Sequence, residues 1–121
     1  MFIGQTIVAE NTTGTTVYTP WFPRQGDAFT SSVEVIAFSS TGNLVISILD
    51  KDPDQTGDAP NAAVGSFDTI TGVGTPSKRV SGLRPLVRYK IVLQRASGTG
   101  TIYATLRMLA PSWESTGAQG V

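Results

Sequence analysis

Leu83-Arg84-Pro85-Leu86-Val87-Arg88-Tyr89-Lys90-Ile91-Val92-Leu93 decides what kind of fold this chain can adopt. From Val87 onward it alternates strictly: Val87, Tyr89, Ile91 and Leu93 share one face, while Arg88, Lys90, Val92 and Gln94 share the other. Successive strand residues point to opposite sides, so a period of two with one apolar face marks a half-buried antiparallel strand. Pro85 has a fixed φ and no N–H to give a ladder, which makes the entry to that strand a rigid turn.

The same pattern recurs on both sides of this stretch. Val33, Val35 and Ala37 stand opposite Glu34, Ile36 and Phe38, which predicts a strand over Ser32–Ser39. Leu44, Ile46 and Ile48 predict a second over Leu44–Leu49, with Ser40-Thr41-Gly42-Asn43 as a hairpin turn between the two. Ile102, Ala104, Leu106 and Met108 predict a last strand, paired with Val87–Gln94 as a hairpin across the Gly-rich residues 96–100. Weaker strands are expected over Ile3–Ala9, Thr15–Thr19, Ala63–Thr69 and Ser77–Gly82. Pro20-Trp21-Phe22-Pro23 is extended but cannot be a central strand, because neither proline can donate to a neighbour. No window keeps apolar residues at three-and-four spacing, so helices are not expected. About eight strands separated by turns predict an all-β chain folded as a two-sheet antiparallel β-sandwich, in one domain over residues 1–121 with a polar tail from about 110. The Leu83–Tyr89 run resembles the tyrosine corner of fibronectin-type and other immunoglobulin-like domains, whose phenol hydroxyl bonds back to upstream backbone. That resemblance implies an immunoglobulin-like order. The jelly roll is the alternative that counting strands leaves open.

Composition narrows the chemistry. With no cysteine and no histidine, the chain lacks thiolate nucleophiles, Cys-based metal sites, the usual general base and every Ser-His arrangement. The expectation is therefore a protein that is not an enzyme and carries no cofactor. The formal charge is zero, yet the signs are segregated along the chain. Glu10, Asp27, Glu34, Asp50, Asp52, Asp54, Asp58 and Asp68 lie before residue 70; Lys78, Arg79, Arg84, Arg88, Lys90, Arg95 and Arg107 follow it. Interleaving of the two halves in a sandwich mixes these charges on the surface; a dipolar module is the sharper alternative. The start of the sequence, Met1-Phe2-Ile3-Gly4-Gln5, has no basic run and only a brief apolar one, so neither a signal peptide nor a membrane partner is expected.

Four groups of residues invite a functional reading. Asp50, Asp52, Asp54 and Asp58 begin like a calcium loop, but Gln55 stands where such a loop needs glycine and Asn61 where it needs a bidentate glutamate. A solvated acidic loop is the expectation there, with no metal site. Tyr18, Trp21, Phe22 and Trp113 offer either sugar-stacking rings or caps for an open end of the core. Arg88, Lys90 and Arg107, with Tyr103 beside them, suggest a basic face on adjacent strands, but a neutral chain lacks the excess of a nucleic-acid binder. Gly72-Val73-Gly74 and Gly98-Thr99-Gly100 open no helix, so they are turns rather than phosphate loops.

Val17–Arg24, Leu83–Leu93 and Leu106-Arg107-Met108-Leu109-Ala110-Pro111-Ser112-Trp113 together resemble small β-sandwich proteins of tailed bacteriophages, which often decorate the capsid. The resemblance implies a structural virion protein: a cement protein on the capsid surface, made in the host cytoplasm. Its implied partners are the major capsid protein and neighbouring copies of itself, within a large assembly. Trp21, Phe22 and Trp113 are the expected contact residues, and Arg24 and Arg107 the rim charges. A carbohydrate-binding or host-surface adhesion module is the alternative.

Overall fold

The computed structural model describes residues 6–54 and 63–115. Ten strands form in chain order: β1 (Thr6–Asn11), β2 (Gly14–Tyr18), β3 (Phe22–Pro23), β4 (Ala28–Phe38), β5 (Gly42–Lys51), β6 (Gly65–Ser66), β7 (Ser77–Ser81), β8 (Leu86–Arg95), β9 (Ile102–Met108) and β10 (Ser112–Glu114). The chain is an all-β sandwich of two antiparallel sheets. Two strands are interrupted. β2 and β3 lie end to end along the same edge of β8, because β5 pairs with the whole of β8 on its other side. Likewise β10 continues the lane of β9 along β4, whose opposite edge takes β7.

Counted as lanes, the first sheet runs β1, β9–β10, β4, β7, and the second runs β2–β3, β8, β5, β6. In chain order this is 1-8-3-6 facing 2-7-4-5, the jelly-roll order rather than the immunoglobulin-like one. The two expected hairpins are corrected accordingly. β4 and β5 belong to different sheets, as do β8 and β9, so both turns are arches that carry the chain across the sandwich. Alternation could not separate the two cases, since a strand buries the same face whether its successor pairs beside it or packs across from it.

The core is what that alternation builds. Leu44, Ile46 and Ile48 of β5 and Val87, Tyr89, Ile91 and Leu93 of β8 meet Ile102, Ala104, Leu106 and Met108 of β9 and Val33 and Val35 of β4, none more than 3% exposed. Each large side chain among them contributes roughly 1.5–3 kcal/mol relative to exposure, more than any surface ion pair in the molecule. One expected face is wrong: a β-bulge falls between Val35 and Ala37. The extra residue reverses the alternation beyond it, so Phe38 packs against the core and Ala37 pairs with outward-facing Thr105. Ile36 is left on the outside.

The β4–β5 and β8–β9 arches and a third, between β1 and β2, are knotted at one end of the sandwich. The Arg95 guanidinium donates to the carbonyls of Thr12, Ser97 and Gly100, so one side chain reaches from the β8–β9 arch to the β1–β2 arch. Ala96 N donates to Thr41 O at 2.8 Å, which ties in the β4–β5 arch. Gly98 and Gly100 take φ values of 69° and 95°, which side-chain-bearing residues rarely adopt. The charges are also mixed by folding: Arg84 pairs with Asp50 at 3.1 Å and Arg107 with Glu34 at 3.2 Å, joining late cations to early acids.

Tyr89 does not make the expected corner. Its ring points into the sandwich and lies stacked on Phe29 at 6.4 Å, and its hydroxyl shares a 2.6 Å hydrogen bond with Ser31 Oγ on the opposite sheet. Burial pushes the phenol up to about 12, with the Ser31 bond opposing in part. A phenol whose pKa is raised by folding stabilises the fold fully below its unfolded value near 10, and that contribution fades as the pH climbs through the folded value.

Arg95→Ala is expected to cost about 1–2 kcal/mol, since charged hydrogen bonds of this kind are worth that much when partly exposed. The check is chemical denaturation, and an unchanged midpoint contradicts the knot. For Tyr89, the alkaline unfolding transition is expected between about pH 10 and 12. Tyr89→Phe is expected to unfold at higher pH while losing about 1 kcal/mol at neutral pH, because Ser31 Oγ loses its partner. Identical alkaline midpoints for the two proteins contradict this assignment.

Candidate functional site

The end of the sandwich opposite the arches is closed by rings. Phe22, buried in β3, lies 5.8 Å from Tyr89 and 6.4 Å from Trp113, and Trp113 lies 4.9 Å from Phe29. Trp113 is placed there by β10: pairing of Ser112–Glu114 with Ala28–Thr30 turns its side chain inward opposite Phe29. The approach is close, since a Cβ on Gly26 would stand 2.5 Å from Glu114 O. Arg79 fastens the same strand from outside, its Nε 2.6 Å from Glu114 Oε1. So the chain up to Glu114 is built into the first sheet instead of forming a free tail from 110. Phe22 and Trp113, expected as partner contacts, are thus spent on the molecule's own core.

Trp21 faces the other way. Among the outward residues of the second sheet, the Arg88 guanidinium carbon sits 4.2 Å over the Tyr18 ring and 4.5 Å over the Trp21 ring, with Lys51 Nζ 4.6 Å over the same indole. Cations held against aromatic faces gain about 0.5–2 kcal/mol each and occupy the surfaces that a sugar ring would need. Arg24 is tied down as well: its backbone N–H donates to Pro85 O and its guanidinium to Leu83 O, so it braces the β7–β8 loop. The basic face expected from Arg88, Lys90, Arg107 and Tyr103 does not exist as one surface. Arg88 and Lys90 are on the outside of the second sheet, and Tyr103 and Arg107 on the outside of the first.

Asp50, the first residue of the candidate calcium loop, is buried and accepts hydrogen bonds from the Arg84 backbone N–H at 2.8 Å and from the Arg84 guanidinium at 3.1 Å. That pairing raises the Arg84 pKa further and orders the turn into β8. Among the described residues no group of three or more metal-ligating side chains comes together. Gln55, Asp58 and Asn61 lie outside them.

The remaining candidate is a surface the sequence reading passed over. Val8, Ile36, Val73 and Tyr103 are 65%, 44%, 67% and 41% exposed; Val8, Ile36 and Tyr103 lie on strands of the first sheet, and Val73 lies in the β6–β7 loop beside its bridge to β4. Val8 on β1 pairs with Thr105 on β9, whose other neighbour is Ala37 just past the bulge. Val35 bridges Gly74, so one step along Ile36 comes opposite Val73. Across the outer face the row therefore reads Val8, Thr105, Ala37 with Ile36, then Val73 in the β6–β7 loop: apolar but for one threonine, with Tyr103 and Glu10 paired alongside it. The Arg107–Glu34 pair flanks it on the other side.

No protein-family model matches the chain, and no characterised protein matches it in sequence. The surface must therefore speak through its own chemistry. An outer sheet face normally carries polar side chains, and a contiguous apolar row rimmed by charges is what protein contacts use. A signal for it was present in the sequence: Val8, Ile36 and Tyr103 are apolar residues on the polar phase of their strands.

Trp113→Ala is expected to lower stability by about 2–3 kcal/mol, the range for losing a half-buried indole from a core. Denaturant titration checks this, and a loss under about 0.5 kcal/mol shows that the ring is not a plug.

Proposed function

We propose that this protein is a non-catalytic structural component of a virus particle, a capsid decoration protein that ties shell subunits together. The observation that carries the reading is the exposed, mostly apolar row Val8–Ile36–Val73 with Tyr103, laid across one face of the first sheet between Glu10 and the Arg107–Glu34 pair. Docking through such a face works by area and shape. Tyr103 is the central anchor, the aliphatic row excludes water, and the flanking charges set register. The contact site thus moves from the Trp21–Phe22–Trp113 end, where the rings are engaged internally, to the outside of the first sheet.

Two further lines support the reading. Jelly rolls recur in viral shell proteins, an analogy of fold alone. The resemblance of Val17–Arg24, Leu83–Leu93 and Leu106–Trp113 to small phage sandwich proteins points the same way. The major capsid protein is the proposed partner, and the outside of the shell the proposed location. Sugar binding, the alternative, keeps less support, because Arg88 and Lys51 lie on the Trp21 ring and Arg88 on one face of Tyr18.

The experiment is a density-gradient run of shells incubated with wild-type and Tyr103→Asp proteins. Wild-type protein is expected to travel with the shells through a high-salt wash. Tyr103→Asp is expected to bind at least about 30-fold more weakly, the loss of about 2 kcal/mol typical of an anchor residue. A wild-type protein that stays at the top of the gradient contradicts the reading, and equal retention of both proteins contradicts this face as its site.

A further inference from the structure

A sheet edge is a row of unmet N–H and C=O groups, and proteins blunt it with proline, lysine, irregularity or extreme shortness. Three of the four outer lanes here are blunted. β7 carries Lys78 and Arg79 along its open edge. The β2–β3 lane breaks at Thr19–Trp21 and contains Pro20 and Pro23. β6 is two residues long.

β1 has none of these devices. Thr6-Ile7-Val8-Ala9-Glu10-Asn11 is six residues of uninterrupted strand with no proline and no cation. Among the described residues it pairs only with β9. Val8, at its centre, is 65% exposed on this bare edge.

The sequence of the strand also suits a copy of itself. Antiparallel pairing about Val8 sets Val8 opposite Val8, Ile7 opposite Ala9 and Thr6 opposite Glu10. No like charges meet, because the two Glu10 side chains then stand four residues apart, about 13 Å and beyond a Debye length at physiological salt. A chain of zero net charge adds no long-range repulsion between copies. Apolar Ile7 and Ala9 remain in their own core, so pairing needs no rearrangement of either sandwich.

We infer that two copies of this chain associate edge to edge through β1, antiparallel about Val8, so that the two first sheets become one continuous eight-lane sheet. The occupant of the bare edge is a second β1. The apolar row of each copy then runs on into that of the other across the two-fold axis, doubling the length of the face described above. The dimer stands independently of docking to a shell, since it uses backbone groups at the strand edge. A five-residue ladder is a small interface, so the affinity belongs in the micromolar range.

The chain has no cysteine, which permits a direct test on the full-length protein. Directly opposed residues of antiparallel strands lie within the Cα separation that a disulfide spans. Val8→Cys is expected to oxidise to a covalent dimer at least about tenfold faster than Val73→Cys, an equally exposed control off the edge. Sedimentation equilibrium from about 1 to 500 μM is expected to show wild-type and Val73→Lys proteins approaching twice the 12.8 kDa chain mass. Val8→Lys, which sets two cations face to face, is expected to weaken association about tenfold or more. Circular dichroism of each variant separates lost pairing from lost fold. A wild-type monomer across the whole range, or Val8→Cys crosslinking no faster than the control, overturns the inference. Weakened shell binding by Val73→Lys, which lies in the docking row but off the β1 edge, alongside full dimerisation separates the two proposals.

Discussion

The apolar side chains on alternate positions of β5, β8 and β9 need a second layer to face, and the rest of the molecule follows from how the chain supplies it. At the β1–β2, β4–β5 and β8–β9 turns the backbone crosses from one sheet to the other, so that sequence neighbours become opposite walls of one interior. Burial on both walls supplies the stabilisation. The arches then have to be held without ladder bonds between the strands they join, and Arg95 with the Ala96–Thr41 bond does this at one end. At the other end the β3–β4 and β7–β8 crossings are tied to each other by backbone bonds, and Phe22, Phe29, Tyr89 and Trp113 fill the interior beneath them. Ser31 and Tyr89 bridge the layers between these two closures.

That arrangement also divides the surface by role. The outside of the second sheet is covered at one end by its own cation–aromatic packing around Arg88 and Trp21. Among the described residues no cation–aromatic packing of this kind covers the row on the outside of the first sheet. The bulge after Val35 is a local irregularity with a wide effect: it turns Phe38 into the core and leaves Ile36 outside, opposite Val73. β-bulges commonly re-aim side chains at functional edges and faces, and this one lies within the proposed contact.

Much of the fold was legible in the residues. The inward sets of β5, β8 and β9 were identified correctly, because their alternation is strict and a one-residue slip would expose every member. What alternation does not encode is which strand stands beside which. Gly42-Asn43 and the Gly-rich residues 96–100 satisfy the turn chemistry of a hairpin and of an arch equally well. The spacing from Leu83 through Pro85 to Tyr89 likewise fits two geometries, and the buried hydroxyl of Ser31 across the interior decides for the second. The proposed site was harder to see, since Trp and Phe draw the eye toward contacts while their size makes them core material first. Val8, Ile36 and Tyr103 could have been flagged as apolar residues on a polar phase, but only the bulge and the lane order place them on one face.

The central claim is that the protein works through the outside of its first sheet, and hydroxyl-radical footprinting read by mass spectrometry tests it most directly. Labelling is compared between the free protein and the protein bound to native shells, at two exposed tyrosines on opposite faces. The account predicts that Tyr103 and Ile36 lose most of their labelling on binding while Tyr18, 45% exposed on the second sheet, keeps its own. Protection of Tyr18 with Tyr103 still fully labelled contradicts it.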